Sequence, residues 1–249
     1  LAAELSAFGA AEFAVLPAIP EFGRIVQGGM VTGFGVEAPI PVVAALGAAA
    51  ARARAPDVTS EAEMAAALRA VPEGAVLVGA RGLAQALARE MGCRAADLPP
   101  LAPPLVVAVG STDPITLAQV AALRAGRDDL AYIAAPSGSV PDGAALAPLT
   151  LVQAVPGPGR AAAAVAAEFA RTAAPLLAKA ASVVLTGGAT AEAVLDALGI
   201  DRLEVLGEAL PGMPLAHAGG QAFVTKSGGF GGPDAFLRLA AAVERAQAG

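Results

Sequence analysis

The sequence predicts an α/β protein of two α/β domains, the C-terminal one built on a mostly parallel sheet flanked by helices on both faces. Three observations predict it. Apolar strand-like runs alternate with amphipathic stretches of about 10–15 residues, the pattern of βαβ units. Three runs in the second half end in glycine with Ser or Thr and pass straight into a helical pattern: LVVAVGSTDPIT (105–116), SVVLTGGATAEAV (182–194) and AFVTKSGGFGGPDAF (222–236). Finally, AADLPPLAPP at 95–104 holds four prolines, which cannot sit inside a helix or a central strand. The expected organisation is therefore a first domain over 1–98, a Pro-rich linker at 99–104 and a second domain over 105–249.

The chain opens on LAAELSAFGAAEF, which reads as an amphipathic helix. It lacks the basic start and small-residue cleavage site of a signal peptide. Its first residue is Leu1, not Met, so it is expected to begin part-way through a longer protein. A short strand follows at 14–18, then a Gly-rich segment and helices through PVVAALGAAAARARA and EAEMAAALRAV. A strand at 75–80 and a helix through GLAQALAREMG complete the first half.

Beyond the linker the expected order is strand 105–110, helix 114–124, strand 130–135, a turn-rich SGSVPDG stretch and strand 149–155. A long alanine-rich helix at 160–180 precedes strand 183–186, helix 190–198, strand 203–206, strand 222–225 and a final helix over 233–247. No fixed-period repeat is evident.

Composition narrows the functional classes. Of 249 residues, 56% are hydrophobic and 15% charged, against about 25% charged in an average protein. Charged residues, Pro and Gly interrupt every apolar run before the roughly 18 residues of a membrane span, so no membrane partner is expected and a cytoplasmic location is. The net charge of -6 comes with no basic cluster, eight Phe and one Tyr, which gives no footprint for nucleic acid. A single Cys93 excludes an internal disulfide framework and a multi-cysteine metal site, and its place at a helix end reads as inert. No His/Cys/Asp cluster has metal-ligand spacing.

The three glycine junctions carry the chemistry. In an open parallel sheet such turns gather at the carboxyl ends of the strands, where glycines and helix N-termini present backbone N–H groups to anions. That is the layout of a phosphate or nucleotide site. At the first, Asp113 and Pro114 form an N-cap and N1 pair, which leaves Ser111 and Thr112 in the turn; capping alone would account for them equally well. At the second, Gly187, Gly188 and Ala189 lead to Thr190 as expected cap, although a tight turn needs glycine for steric reasons too. At the third, Lys226, Ser227, Gly228 and Gly229 open the most Gly-dense stretch, and Lys226 is one of two lysines. A lysine at a strand end is a point charge for phosphate; the plainer reading is a solvated hinge. None of the three matches the P-loop or GxGxxG spacing.

In the first half, PAIPEFGR (17–24) follows a strand and would bring Glu21 and Arg24 to a cleft mouth. Arg24 could clamp a carboxylate or phosphate with its planar fork, or simply pair with Glu21 on the surface. The turn Gly79-Ala80-Arg81-Gly82 is a second candidate for that cleft. The sole histidine, His217, falls in an expected loop with no triad partners.

Taken in order, PAIPEFGR, VLVGARGLAQALA (76–88), VVAVGSTDPITLAQVAAL (106–123), VVLTGGATAEAVLDALGI (183–200), EALPGMPLA (208–216) and FVTKSGGFGGPDAF (223–236) resemble the four-carbon acid sugar kinase family. The family's members phosphorylate tetronates such as threonate, erythronate or 3-oxo-tetronate with ATP. The resemblance implies that 105–249 is a nucleotide-binding domain, with Ser111, Thr112, Gly187, Gly188, Ala189, Thr190, Lys226, Ser227, Gly228 and Gly229 around ATP. It implies that 1–98 is the remainder of an acid-sugar domain, with Arg24 near the substrate. The family's N-terminal Asp-Asp motif and its later Lys and Ser/Thr-Arg-Gly stretch have no counterpart here, so no general base is assigned.

The expected activity is transfer of the γ-phosphoryl group of ATP, with Mg²⁺, to a terminal hydroxyl of a small sugar acid. A relative that binds nucleotide or sugar phosphate without turnover is the alternative. An NAD(P)-dependent enzyme is disfavoured by the glycine spacing. The expected partner is the sugar acid, and self-association into a homo-oligomer is left open.

Overall fold

A computed structural model describes residues 5, 7, 12–93, 97–157 and 161–247. Most of the helix expected over 1–13, and the start at Arg160 of the long helix, lie outside them. The chain divides into two compact units, Leu1–Ala95 and Ala96–Gly249. Among the described residues no helix is long and apolar enough to cross a membrane.

In the first unit β1 (Phe13–Leu16) lies between β5 (Ala53–Arg54) and β6 (Val76–Gly79), parallel to both. Buried on all four residues, β1 is the apolar centre of this small sheet. The Gly-rich segment forms an antiparallel sheet of β2 (Arg24–Gln27), β3 (Met30–Gly33) and β4 (Ile40–Pro41). Its tight turn is Gly28-Gly29, with φ of 58° and 72°, and two successive positive φ values are the signature of a type I′ hairpin. Asp57 holds the turn, accepting from both glycine N–H groups at 2.7 and 3.0 Å. The helix expected through PVVAALGAAAARARA is instead a 3₁₀ run, Ala44–Arg52, broken at Gly47 (φ 55°, ψ −131°). Helices α1 (Glu61–Arg69) and α2 (Arg81–Glu90) complete the unit. Ser60 caps α1 by accepting from Glu63 N–H at 3.2 Å.

The second unit is a seven-stranded sheet. Its strands are β7 (Leu105–Val109), β8 (Ala131–Pro136), β9 (Leu149–Val155), β10 (Ser182–Thr186), β11 (Glu204–Leu210), β12 (Met213–Ala218) and β13 (Gln221–Lys226), in the order β11-β12-β13-β10-β7-β9-β8. The five from β13 to β8 run parallel; β12 and β11 add an antiparallel edge. The helices are α3 (Pro114–Gly126), α4 (Ala162–Leu177), α5 (Gly188–Ala197) and α6 (Ala235–Gln247).

Central β7 and β10 are buried at every residue, as continuous apolar strands covered on both faces must be. Alternation along β7 separates two cores. Leu105, Val107 and Val109 pack with Val120 and Leu123 of α3 and Phe236 and Leu239 of α6. Val106 and Ala108 pack on the other face with Phe169 and Leu177 of α4 and Val194 of α5. After β7 the chain crosses towards β8; after β10 it crosses the opposite way, to β11. Adjacent strands that send their connections in opposite directions leave a crevice beyond their carboxyl ends, where ligands settle in open α/β sheets.

In the second unit one strand was absent from the sequence expectation. β12 is joined to β13 by Gly219-Gly220, another turn with two positive φ values, 55° and 82°. His217 therefore lies on a strand, exposed, and not in a loop.

Candidate nucleotide site

The parallel register places Val109, Thr186 and Lys226 side by side, so the three glycine junctions leave the sheet at one level. Backbone bonds join them: Gly110 N–H donates to Thr186 O at 3.4 Å, and Gly187 N–H to Lys226 O at 3.0 Å.

At the first junction Asp113 caps α3, accepting from Ile115 N–H at 2.8 Å, with Pro114 in the first turn. Ser111 Oγ accepts from Asp113 N–H at 3.2 Å. Thr190 leaves no room for a side chain at Gly110, so glycine there is a packing requirement between β7 and α5.

The second junction differs from expectation in its cap. Gly187 (φ 91°), not Thr190, is the N-cap of α5, and no side chain accepts there. Thr190 is buried inside the first turn and turned onto Gly110. The leading N–H groups of α5, at Gly188, Ala189 and Thr190, have no side-chain acceptor among the described residues and sit at the positive end of the helix dipole. Gly188 has nothing within 4 Å of where a Cβ would lie, so this terminus is open.

It opens onto a cavity of about 600 Å³. Gly110, Ser111 and Thr112 line it together with Gly187, Gly188, Ala189 and Thr190, while Ala154, Val155, Pro156, Ala163, Ala166 and Phe169 supply apolar wall. One end is therefore built of N–H groups and hydroxyls, the other of hydrocarbon. Ser137 also lines it, with a positive φ of 47°, an uncommon conformation for a residue with a side chain.

The third junction lies apart from this lining and reaches Ser111 from another side. A Cβ at Gly228 would stand 2.9 Å from Asp113 Cβ and 3.0 Å from Ser111 Oγ; one at Gly187 would be 3.5 Å from Ser111 Cβ. Ser111 is thus flanked by glycines of both other junctions.

Lys226, expected as a point charge for phosphate, is buried. It is 3% exposed, and its Nζ donates to Thr116 Oγ1 at 2.8 Å, Gly228 O at 2.7 Å and Ser227 O at 3.1 Å. Burial lowers its pKa to about 8, partly opposed by the charge of Asp113. An ammonium has three protons to donate, and these three oxygens take them.

Two residues of α3 that sequence reasoning passed over do the rest. Thr116 Oγ1 donates to Gly228 O at 2.8 Å. Gln119 Nε2 lies 3.0, 3.0 and 2.9 Å from the carbonyl oxygens of Phe230, Gly231 and Gly232. Both side chains are fully buried, and no described residue donates to Gln119 Oε1. An unpaired buried acceptor costs roughly 1–3 kcal/mol. The signal was present in the sequence: Thr116 and Gln119 are polar residues on the stripe completed by Val120 and Leu123.

In the first unit Glu21 pairs with Arg81, not with Arg24, at 2.5 Å. Arg81 also reaches Gln85 at 3.0 Å and lies over the Phe22 ring at 4.9 Å. Arg24 Nε donates to Phe34 O at 2.9 Å, so the fork is oriented by the backbone beyond β3. The turn that bears Arg81 is pressed against the chain leaving β1, since Gly82 has no space for a Cβ against Ala18 O. Glu21, Arg81 and Gln85 are thereby brought together. Among the described residues there is no group of three or more His, Cys, Asp or Glu placed to hold a metal.

Comparison with known proteins bears on both units. No curated protein matches the chain. Residues 132–236 match the family model of a nucleotide-binding C-terminal domain. A Salmonella typhimurium LT2 protein described as a putative tRNA synthase is 19% identical, over 95% of this chain and 74% of its own, with a TM-score of 0.64. A Haemophilus influenzae protein of the DUF1537 family is 20% identical over 93% of this chain and 74% of its own, TM-score 0.61. The chain has the DUF1537 fold. A DUF1537 protein from Bordetella bronchiseptica, solved with bound citrate as a domain-swapped dimer, is 28% identical over 97% of this chain and 74% of its own, TM-score 0.48. The matched nucleotide-binding model covers the second and third glycine junctions.

Proposed function

We propose that the protein is an ATP-dependent kinase that phosphorylates a four-carbon sugar acid at its terminal hydroxyl. The observation that carries this reading is the meeting of three glycine junctions around Ser111, beside a cavity that is polar at one end and apolar at the other. The nucleotide-binding family model over 132–236 supports it.

The base and ribose occupy the cavity, against Val155, Ala163 and Phe169. The phosphates run along the α5 terminus, over Ser111 and Thr112, towards the N–H groups of Gly228 and Gly229. Ser111, Thr112 and the first-turn amides of Gly188, Ala189 and Thr190 donate to phosphate oxygens. Lys226 holds the third loop in place from within through Ser227 O and Gly228 O, and Ser227, exposed at its start, faces the phosphates. Backbone N–H groups fixed in this way stabilise charge on a transferring phosphoryl group without reorganisation.

Mg²⁺ bound with a nucleotide lends positive charge to the phosphate oxygens, and it takes one or two carboxylates plus phosphates, not a cage of side chains. Asp113 fits that requirement: Oδ1 is engaged by Ile115 N–H, and the carboxylate faces Gly229, with Oδ2 at 3.9 Å from where a Cβ would lie. The sugar-acid carboxylate is assigned to Arg24.

The test is ADP release with ATP, Mg²⁺ and a panel of threonate, erythronate and 3-oxo-tetronates, with product identified by mass. Phosphorylated tetronate supports the kinase. Nucleotide binding without turnover on any member of the panel supports the non-catalytic alternative.

A further inference from the structure

We propose that Thr116, Gln119 and Lys226 form a clamp that fixes the peptide planes of the loop 227–232, so that the N–H groups of Gly228, Gly229, Gly231 and Gly232 are presented to a nucleotide phosphate. The inference rests on the nucleotide reading above and adds three positioning residues to it.

In a trans peptide the N–H of one residue points opposite to the C=O of the residue before it. The carbonyls of Ser227 and Gly228 are taken by Lys226 Nζ, with Thr116 Oγ1 adding a second bond to Gly228. Those of Phe230 and Gly231 converge on Gln119 Nε2. Four carbonyls are thus drawn to side chains at the α3 side of the loop. The N–H groups of the four glycines that follow them must point the other way. No described residue accepts a hydrogen bond from the N–H of Gly228 or Gly229.

The loop is built for this arrangement. Gly231 has a φ of 85°, which residues with a side chain rarely adopt; Gly228 is closed in by Asp113 and Ser111. The Gln119 amide has one workable orientation, since the reverse would set Oε1 against three carbonyl oxygens. Its Oε1 stays unpaired in the interior, a cost that the three carbonyl contacts of Nε2 offset.

The clamp is tested with the full chain and the variants Gln119→Met, Thr116→Val and Thr116→Ser. The first two keep volume and remove the polar group; the third keeps the hydroxyl. Two readouts are combined: NMR order parameters of the glycine amides at 228, 229, 231 and 232 without ligand, and calorimetric titration with ATP and with adenosine. In the wild type the amides should be rigid, with S² near 0.85, and in Gln119→Met they should fall below about 0.6. Gln119→Met and Thr116→Val should lose about 10-fold or more in ATP affinity, with adenosine affinity within about twofold, because adenosine has no phosphate to address. Thr116→Ser should restore both. Equal loss for ATP and adenosine would overturn the proposal. So would glycine amides equally rigid in wild type, Gln119→Met and Thr116→Val, whether or not nucleotide binds. A wild type that takes up neither ligand removes the nucleotide reading, and the order parameters then decide the clamp alone.

Discussion

Lys226 Nζ donates to Thr116 Oγ1 across 2.8 Å, and the same hydroxyl donates onward to Gly228 O at 2.8 Å. A strand end and a helix are joined beneath a glycine loop by one buried cation. Its three protons are taken by Thr116 Oγ1, Ser227 O and Gly228 O.

That burial makes stability depend on pH. The folded state holds the lysine proton less tightly than the unfolded chain, with a pKa of about 8 against 10.5. The unfolded chain therefore binds more protons between those values, and stability rises as pH rises from about 8 to 10.5. The ionised lysine's cost is felt in full below pH 8. We expect Lys226→Met to flatten this rise, which should amount to roughly 1–3 kcal/mol by urea denaturation at pH 7.5 and 10. Parallel profiles for the two proteins would show that Lys226 is not the titrating group.

Gly110 and Thr190 form a packing pair across β7 and α5. Gly110→Ala should destabilise by about 1–3 kcal/mol, as overpacking of a closed contact does, and Thr190→Gly alone should also destabilise by roughly 1 kcal/mol. In the double variant the clash is gone, so its loss should be smaller than the sum of the two. Additive losses in chemical denaturation would place the strain elsewhere.

Gly188 offers a cleaner probe of the cavity mouth. A Cβ there would have nothing within 4 Å, so Gly188→Val should leave the thermal midpoint within about 2 °C, as surface changes do. Its branched carbons would nevertheless stand over the amides that begin α5. ATP affinity should fall about 10-fold or more in a calorimetric titration; unchanged affinity in a folded variant removes that helix terminus from the site.

Asp57 links a second titration to the first unit. The N–H groups of Gly29 and Gly28 hold its carboxyl below the ordinary range. Its contribution is present above the unfolded carboxylate pKa and is lost as pH falls through the lower folded value. Asp57→Ala should make acid unfolding less steep below pH 4, read by circular dichroism. An unaltered acid limb would mean that the hairpin turn stands without it.

Much of this architecture was legible in the sequence because its signals are local. Strand 149–155 was expected with the bounds that β9 has, and the glycine junctions were readable because an apolar run ending in glycine before a helical period has few other outcomes. The β2-β3-β4 sheet and β12 were missed where two Gly-Gly pairs looked like loop and are type I′ turns. The expected cap at Thr190 failed for a tertiary reason: packing against Gly110 claims the side chain, and Gly187 begins the helix without it. The burial of Lys226 was not legible because it depends on α3, whose Thr116 partners it from 110 residues away in the chain. Polar residues on a helix's apolar stripe were the available clue.

The most direct measurement is a thermal-shift titration of this 249-residue chain with ATP, ADP and NADH, each with and without Mg²⁺, since a ligand bound only by the folded state raises its midpoint. The account predicts a concentration-dependent rise with ATP and ADP, none with NADH, and a much reduced rise in Gly188→Val. No shift with either adenine nucleotide, or an equal shift with NADH, would contradict it.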